Sequence, residues 1–228
     1  MTTWQRMAIG VLLSGIVIPA SAAMVEQGRA ALQQKDFAAT ATLLESTVAH
    51  SPSNAEAHYE LGIAYGRLAE ESSILRQAMF ALRARDQFLE AVRLDPNHLD
   101  ARFSLVQYYM LAPAVLGGSE EKALREASEI RKRDEAGGHR AAAFIAMRQN
   151  RYKAASDELE DTVRLDPSDM PSWFQIGRLA ALTGTNVRRG EEALRKYLGH
   201  SPANDEPPLE RARYWLAQIH DRERRTTH

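Results

Sequence analysis

The 228-residue chain contains no cysteine. Disulfides, thiolate nucleophiles, thiolate metal sites and a lipid-anchored cysteine are thereby excluded. A chain of about 200 residues can instead be held by its apolar core alone. An excess of charge of either sign is also lacking, with 29 Lys and Arg against 30 Asp and Glu. No overall field points to nucleic acid or to an anionic membrane. The apolar run over residues 7–18 is interrupted by Gly10, Ser14 and Gly15 and ended by Pro19. It falls short of the about 20 residues that a membrane-spanning helix needs. Ala20-Ser21-Ala22 then supplies the small-x-small pattern of a secretory cleavage site. Residues 1–22 are expected to be a signal peptide, with a mature chain from about Ala23 in the periplasm or outside the cell. An uncleaved N-terminal anchor is the alternative.

What is present is a spaced pattern. His58-x-x-Leu61-Gly62-x-x-Tyr65 precedes Ala84-x-x-x-Phe88, Ala91 and Asp95-Pro96. It resembles the tetratricopeptide signature, an aromatic-x-x-Leu-Gly-x-x-Tyr helix and an Ala-x-x-x-Phe helix closed by Pro. Other segments repeat it in phase. Gly28, Ala31, Leu44 and Ser51-Pro52 form a degenerate first copy. Leu105, Tyr109, Ala123 and Ile130 mark the third. His139, Ala146, Tyr152, Ala155, Leu159 and Pro167 mark the fourth, and Trp173, Ile176, Gly177, Leu194, Tyr197 and Pro202 the fifth. Ala212, Tyr214, Trp215 and Leu216 restart the motif once more. The resemblance implies an all-α, right-handed α-solenoid of helix-turn-helix hairpins with a C-terminal capping helix, of the exported bacterial type. Its repeats fall near 23–53, 54–97, 98–135, 136–168 and 169–203, within an array over 23–222. The cap covers 205–222, and 223–228 form a solvated, frayed polar tail.

Two insertions interrupt the period. The first, near 70–82, is about ten residues beyond the family repeat. Leu75, Met79 and Leu82 are spaced for one helical face after the possible caps Ser72 and Ser73, so it reads as a lengthened second helix. The second covers 112–119, where Pro113 stops a helix, Gly117 and Gly118 permit positive φ, and Ser119 caps the next helix. The Ala-Pro-x-x-x-Gly-Gly-Ser stretch also resembles a subset of exported bacterial tetratricopeptide proteins. Turns within successive hairpins share an edge of a solenoid, so Leu75, Met79, Val115 and Leu116 are expected to cover one another.

Sites of chemistry are not legible. The seven histidines include no i,i+4 pair, and His58 and His139 occupy packing places, so no metal is expected. Glu120 and Glu121 behind Gly117-Gly118 would repel a phosphate from that helix start. Glu70-Glu71 and Glu191-Glu192 read as solvated pairs, and no nucleophile–base pattern stands out. Neither an enzyme nor a cofactor is expected.

In the resembling family the first helix of each hairpin lines a concave groove. Places just after the Trp-type position and four residues on are Tyr59 and Ile63, Phe103 and Gln107, Arg140 and Phe144, Phe174 and Arg178, and Tyr214 and Gln218. Arg67 and Arg148 lie one turn further. Aromatics and Arg dominate this stripe, as they do binding hot spots. The expected function is a scaffold or adapter of the cell envelope that binds a protein or peptide, without nucleic acid or membrane insertion. The alternatives are a structural subunit of an envelope assembly or self-assembling oligomer, and a carrier or sensor of small envelope ligands.

Overall fold

A computed structural model describes residues 20–203 and 206–226. The signal-peptide expectation falls almost entirely outside the described residues. Among the described residues eleven α-helices follow one another: α1 (Ala20–Gln33), α2 (Phe37–His50), α3 (Ala55–Glu71), α4 (Ile74–Leu94), α5 (Leu99–Leu111), α6 (Glu120–Arg131), α7 (Glu135–Arg148), α8 (Tyr152–Leu165), α9 (Met170–Thr183), α10 (Val187–Leu198) and α11 (Leu209–Thr226). A turn of 3-10 helix at Ala114–Leu116 precedes α6.

Capping chemistry sets several helix starts. Asp36, Asn54, Ser119 and Asp169 each accept a backbone N–H from the first turn of the following helix. Within hairpins, a small residue on the first helix admits a large one from the second. A Cβ at Gly62 would lie 2.5 Å from the Phe88 ring, and the Leu44 and Leu194 side chains crowd Gly28 and Gly177 in the same way. Leu61, Tyr65, Leu105, Tyr109, Ala123 and Ile130 are all buried, as repeat phase requires. The core continues through Leu159, Trp173 and Ile176 to Leu194, Tyr197 and Ile219.

Each helix packs on the next in sequence. Beyond that, α1 touches α3, α5 touches α7, and α9 touches α11, while no two second helices pack to a comparable extent. In these three pairs the first helices lie to the inside, and second helices fan out around them. This layering defines an α-solenoid.

The insertions need correction. The first does lengthen α4, to 21 residues against 14 in α2. Ser73 takes the N-cap position without a side-chain bond, and Ser72 ends α3. The apolar residues do not cover one another: Leu75 is 85% exposed and Val115 is 89% exposed. Polar contacts hold the second insertion instead, to α4 and to α5. Arg85 Nη1 donates to the Leu116 carbonyl at 3.4 Å, and the Tyr108 hydroxyl donates to the same oxygen at 2.5 Å. Of the two glycines, Gly117 alone has positive φ. Gly118 answers a different demand, since a Cβ there would run into the Ala112 carbonyl oxygen. The C-terminal end also differs from expectation. α11 runs to Thr226, so the helix continues through residues 223–226.

Candidate partner-binding face

The inner layer carries the predicted stripe in unequal states. On α3 the Tyr59 ring is half-buried, 4.7 Å from the His98 ring and 6.1 Å from Phe88. Ile63 packs partly against the core, and Arg67 pairs with Glu70 at 3.2 Å. Between them, Gly66 faces open space, with nothing within 4 Å of a built Cβ. On α5 and α7, Phe103 meets Phe144 edge-on at 6.1 Å. The Arg140 guanidinium lies 5.2 Å from the Phe103 ring centroid and pairs with Asp169 at 3.1 Å. Gln107 is half-buried and Arg148 exposed. Phe103, Arg140 and Phe144 thus form one cluster, with Tyr59 beside His98 one hairpin earlier.

Phe174 is a correction. It is 2% exposed, with its ring 5.3 Å from Tyr197. The capping helix α11 docks on α9 and α10, and Phe174 fills the space between the three. It belongs to the core and not to a surface. Arg178, one turn later, is half-buried and donates to Gln175 Oε1 at 2.9 Å. Tyr214 is 55% exposed against Trp215, and Gln218 is half-buried.

The stripe also extends one hairpin toward the N-terminus. Arg29 follows Gly28 as Ile63 follows Gly62, so the same spacing rule points to it. Its guanidinium binds Glu26 at 2.7 Å and also contacts Glu56 and Glu60. Glu56 reaches His98 Nε2 at 3.3 Å, joining three hairpins through side chains. The bond to His98 holds the Glu56 carboxyl below its usual range, and Glu56 in turn raises the His98 imidazole. Burial pushes Glu60 up against the opposing pull of Arg29. Among the described residues, no three histidines or carboxylates converge as a metal site. What the face offers is aromatic edges, guanidinium groups and open space above Gly66.

Comparison with known proteins agrees with this architecture. Residues 25–81 match the tetratricopeptide repeat family model. A thermophilic tetratricopeptide protein of Thermus thermophilus superposes with a TM-score of 0.67 at 17% identity, over 88% of this chain and 98% of its own. PilW, described as a widely conserved type IV pilus biogenesis factor, gives 0.60 at 12% identity, over 91% and 92%. The pilF protein of Pseudomonas aeruginosa gives 0.59 at 13% identity, over 90% and 91%. At such identities the likeness establishes fold alone. No curated protein matches the chain in sequence. Residues 25–81 thus carry the tetratricopeptide repeat, and the chain as a whole has the fold of the tetratricopeptide-repeat structures it superposes on.

Proposed function

We propose that the chain is a non-enzymatic scaffold that holds a protein or peptide partner along its inner face. The observation that carries this reading is the half-buried aromatic cluster of Phe103, Phe144 and Arg140, continued by Tyr59 and the open surroundings of Gly66. Extended inner faces of solenoids are binding surfaces, and aromatic and Arg side chains supply most binding energy at such surfaces. Replacing Phe144 and Phe103 by Ala should abolish partner capture, and unchanged capture would refute the reading.

Export to the cell envelope is part of the proposal, supported by the apolar run and Ala20-Ser21-Ala22. N-terminal sequencing of the protein from a cell fraction tests it. Material outside the cytoplasm beginning near Ala23 is expected, and material retaining residues 1–18 in the membrane pellet contradicts it.

A second reading, a self-assembling structural subunit, is favoured by one observation. Ile74 and Leu75 at the start of α4 are 81% and 85% exposed, and Val115 in the turn of the next hairpin is exposed as well. Large apolar side chains left in solvent mark contact surfaces when they cluster. Light scattering separates the two: a monomer supports the adapter, and a defined oligomer the subunit.

A further inference from the structure

The cations of the inner layer divide into two groups. Toward the N-terminal end they are neutralised: Arg29 by three glutamates, and Arg140 by Asp169. Toward the C-terminal end Arg148, Arg178 and Arg211 have no carboxylate within ion-pair distance among the described residues, although the chain holds nearly equal numbers of acids and bases. All three sit on first helices, those of consecutive hairpins and the cap. Arg148 lies in the last turn of α7, Arg178 in the middle of α9 and Arg211 in the first turn of α11. The positions step across the inner layer from one edge toward the other.

Arg178 is the centre of this group. It is half-buried, and its only hydrogen-bond partner among the described residues is the neutral Gln175. Burial and repulsion from Arg211 together weaken its hold on the proton. A half-buried guanidinium that lies beside another cation and has no carboxylate of its own gains from an arriving anion. Its planar donors suit a carboxylate, bound through two parallel hydrogen bonds.

We propose that Arg178, with Arg211 beside it, anchors side-chain carboxylates of an acidic stretch in the partner, laid across the C-terminal half of the inner face. This rests on the reading of that face as a partner-binding surface. The aromatic cluster at Phe103 and Phe144 would take the apolar part of the same segment. Charge complementarity sets its direction and its salt dependence.

The test selects random dodecapeptides on the full chain, displayed with their carboxyl ends fused so that side-chain acids alone are available. Asp and Glu should be enriched among the selected peptides. Synthetic copies should bind Arg178→Gln at least about tenfold more weakly, with Arg178→Lys intermediate. The melting temperature of Arg178→Gln should not fall, because the substitution removes an uncompensated charge. Selected peptides without acidic enrichment, or indifferent to Arg178→Gln, would overturn the proposal while leaving the inner-face reading intact if Phe103→Ala and Phe144→Ala still weaken them. Peptides indifferent to those substitutions too, or no selected peptides at all, would overturn both. An oligonucleotide that binds Arg178 more tightly than the acidic peptides would assign the cluster to phosphates and overturn the proposal.

Discussion

Trp173 donates its indole N–H to the carbonyl oxygen of Pro167, six residues earlier, at 3.1 Å. The bond recurs with different chemistry. Arg102 Nε donates to Pro96 at 3.0 Å, and His58 Nε2 lies 3.1 Å from the Pro52 carbonyl. Each side chain occupies the Trp-type place of its hairpin and satisfies the carbonyl of the proline that ended the previous one. A partly buried carbonyl needs such a donor, and a junction held this way fixes how one hairpin meets the next.

Trp173→Phe should therefore destabilise the array by about 1–3 kcal/mol, the range for leaving a buried acceptor without its donor. The ring stays, so the loss is chiefly that of the bond. It also weakens the contacts of Lys196 and Arg189 with the indole face, at 3.9 and 4.8 Å. The midpoint of urea unfolding reads the change, and an unchanged midpoint would show that the junction does not depend on this bond.

Phe174→Ala should cost about 3–5 kcal/mol, as truncation of a buried aromatic does. Leu105→Ala, at a fully buried position, should cost about 2–5 kcal/mol. Thermal unfolding of the two variants checks both. A Phe174→Ala protein that melts like the wild type would return that side chain to the surface.

Two glycines predict opposite signs. Gly66→Ala should stabilise α3 by about 0.5–1 kcal/mol, since the position is helical and its surroundings are open. Gly118→Ala should destabilise strongly, because the new Cβ meets the backbone of Ala112. Chemical denaturation of the pair, side by side, checks the loop geometry between α5 and α6.

Stability should depend on pH through the link between Glu56 and His98. The His98 pKa is raised on folding from 6.5, so its contribution is complete below that value and fades as pH rises through the folded pKa. The Glu56 pKa is lowered from 4.5, so its contribution is present above 4.5 and fades as pH falls. Glu60, raised by burial, opposes Glu56 on the acid side. The neutral side is therefore the cleaner window. As pH rises above 6.5, wild type should lose more stability than Glu56→Gln, in which the largest cause of the raised His98 pKa is gone. Parallel profiles for the two proteins would remove the ion pair from the account.

Much of the fold was legible because it is written locally and repeated. Leu105, Tyr109, Ala123 and Ile130 stood at repeat spacing and all are buried. Pro113 ended α5 as its missing N–H requires, with the last helical residue at Leu111. What failed was non-local. Phe174 has the spacing of a groove residue, but the docking of α11 closes over it, and no local pattern reports where a later helix packs. Leu75 and Met79 have helical spacing, yet α4 outruns its neighbours at that end and leaves them in solvent. Arg102 was hidden by its chemistry, because an arginine in a place usually held by an aromatic gives no signal of its shared role. Arg29 is legible from the Gly28 phase, but the acids around it are not, because Glu56 and Glu60 come from the next hairpin.

On the proposed reading the inner face, and not the outer, meets the partner. A photo-crosslinking residue placed at Gln107 or Ile63 on the inner layer, and at Leu89 or Leu124 on the exposed side of second helices, tests it most directly in the cells that make the protein. Adducts of defined mass from Gln107 and Ile63, with none from Leu89 and Leu124, are the predicted result. Adducts confined to Leu89 and Leu124 would contradict the claim and move the binding surface to the outer layer.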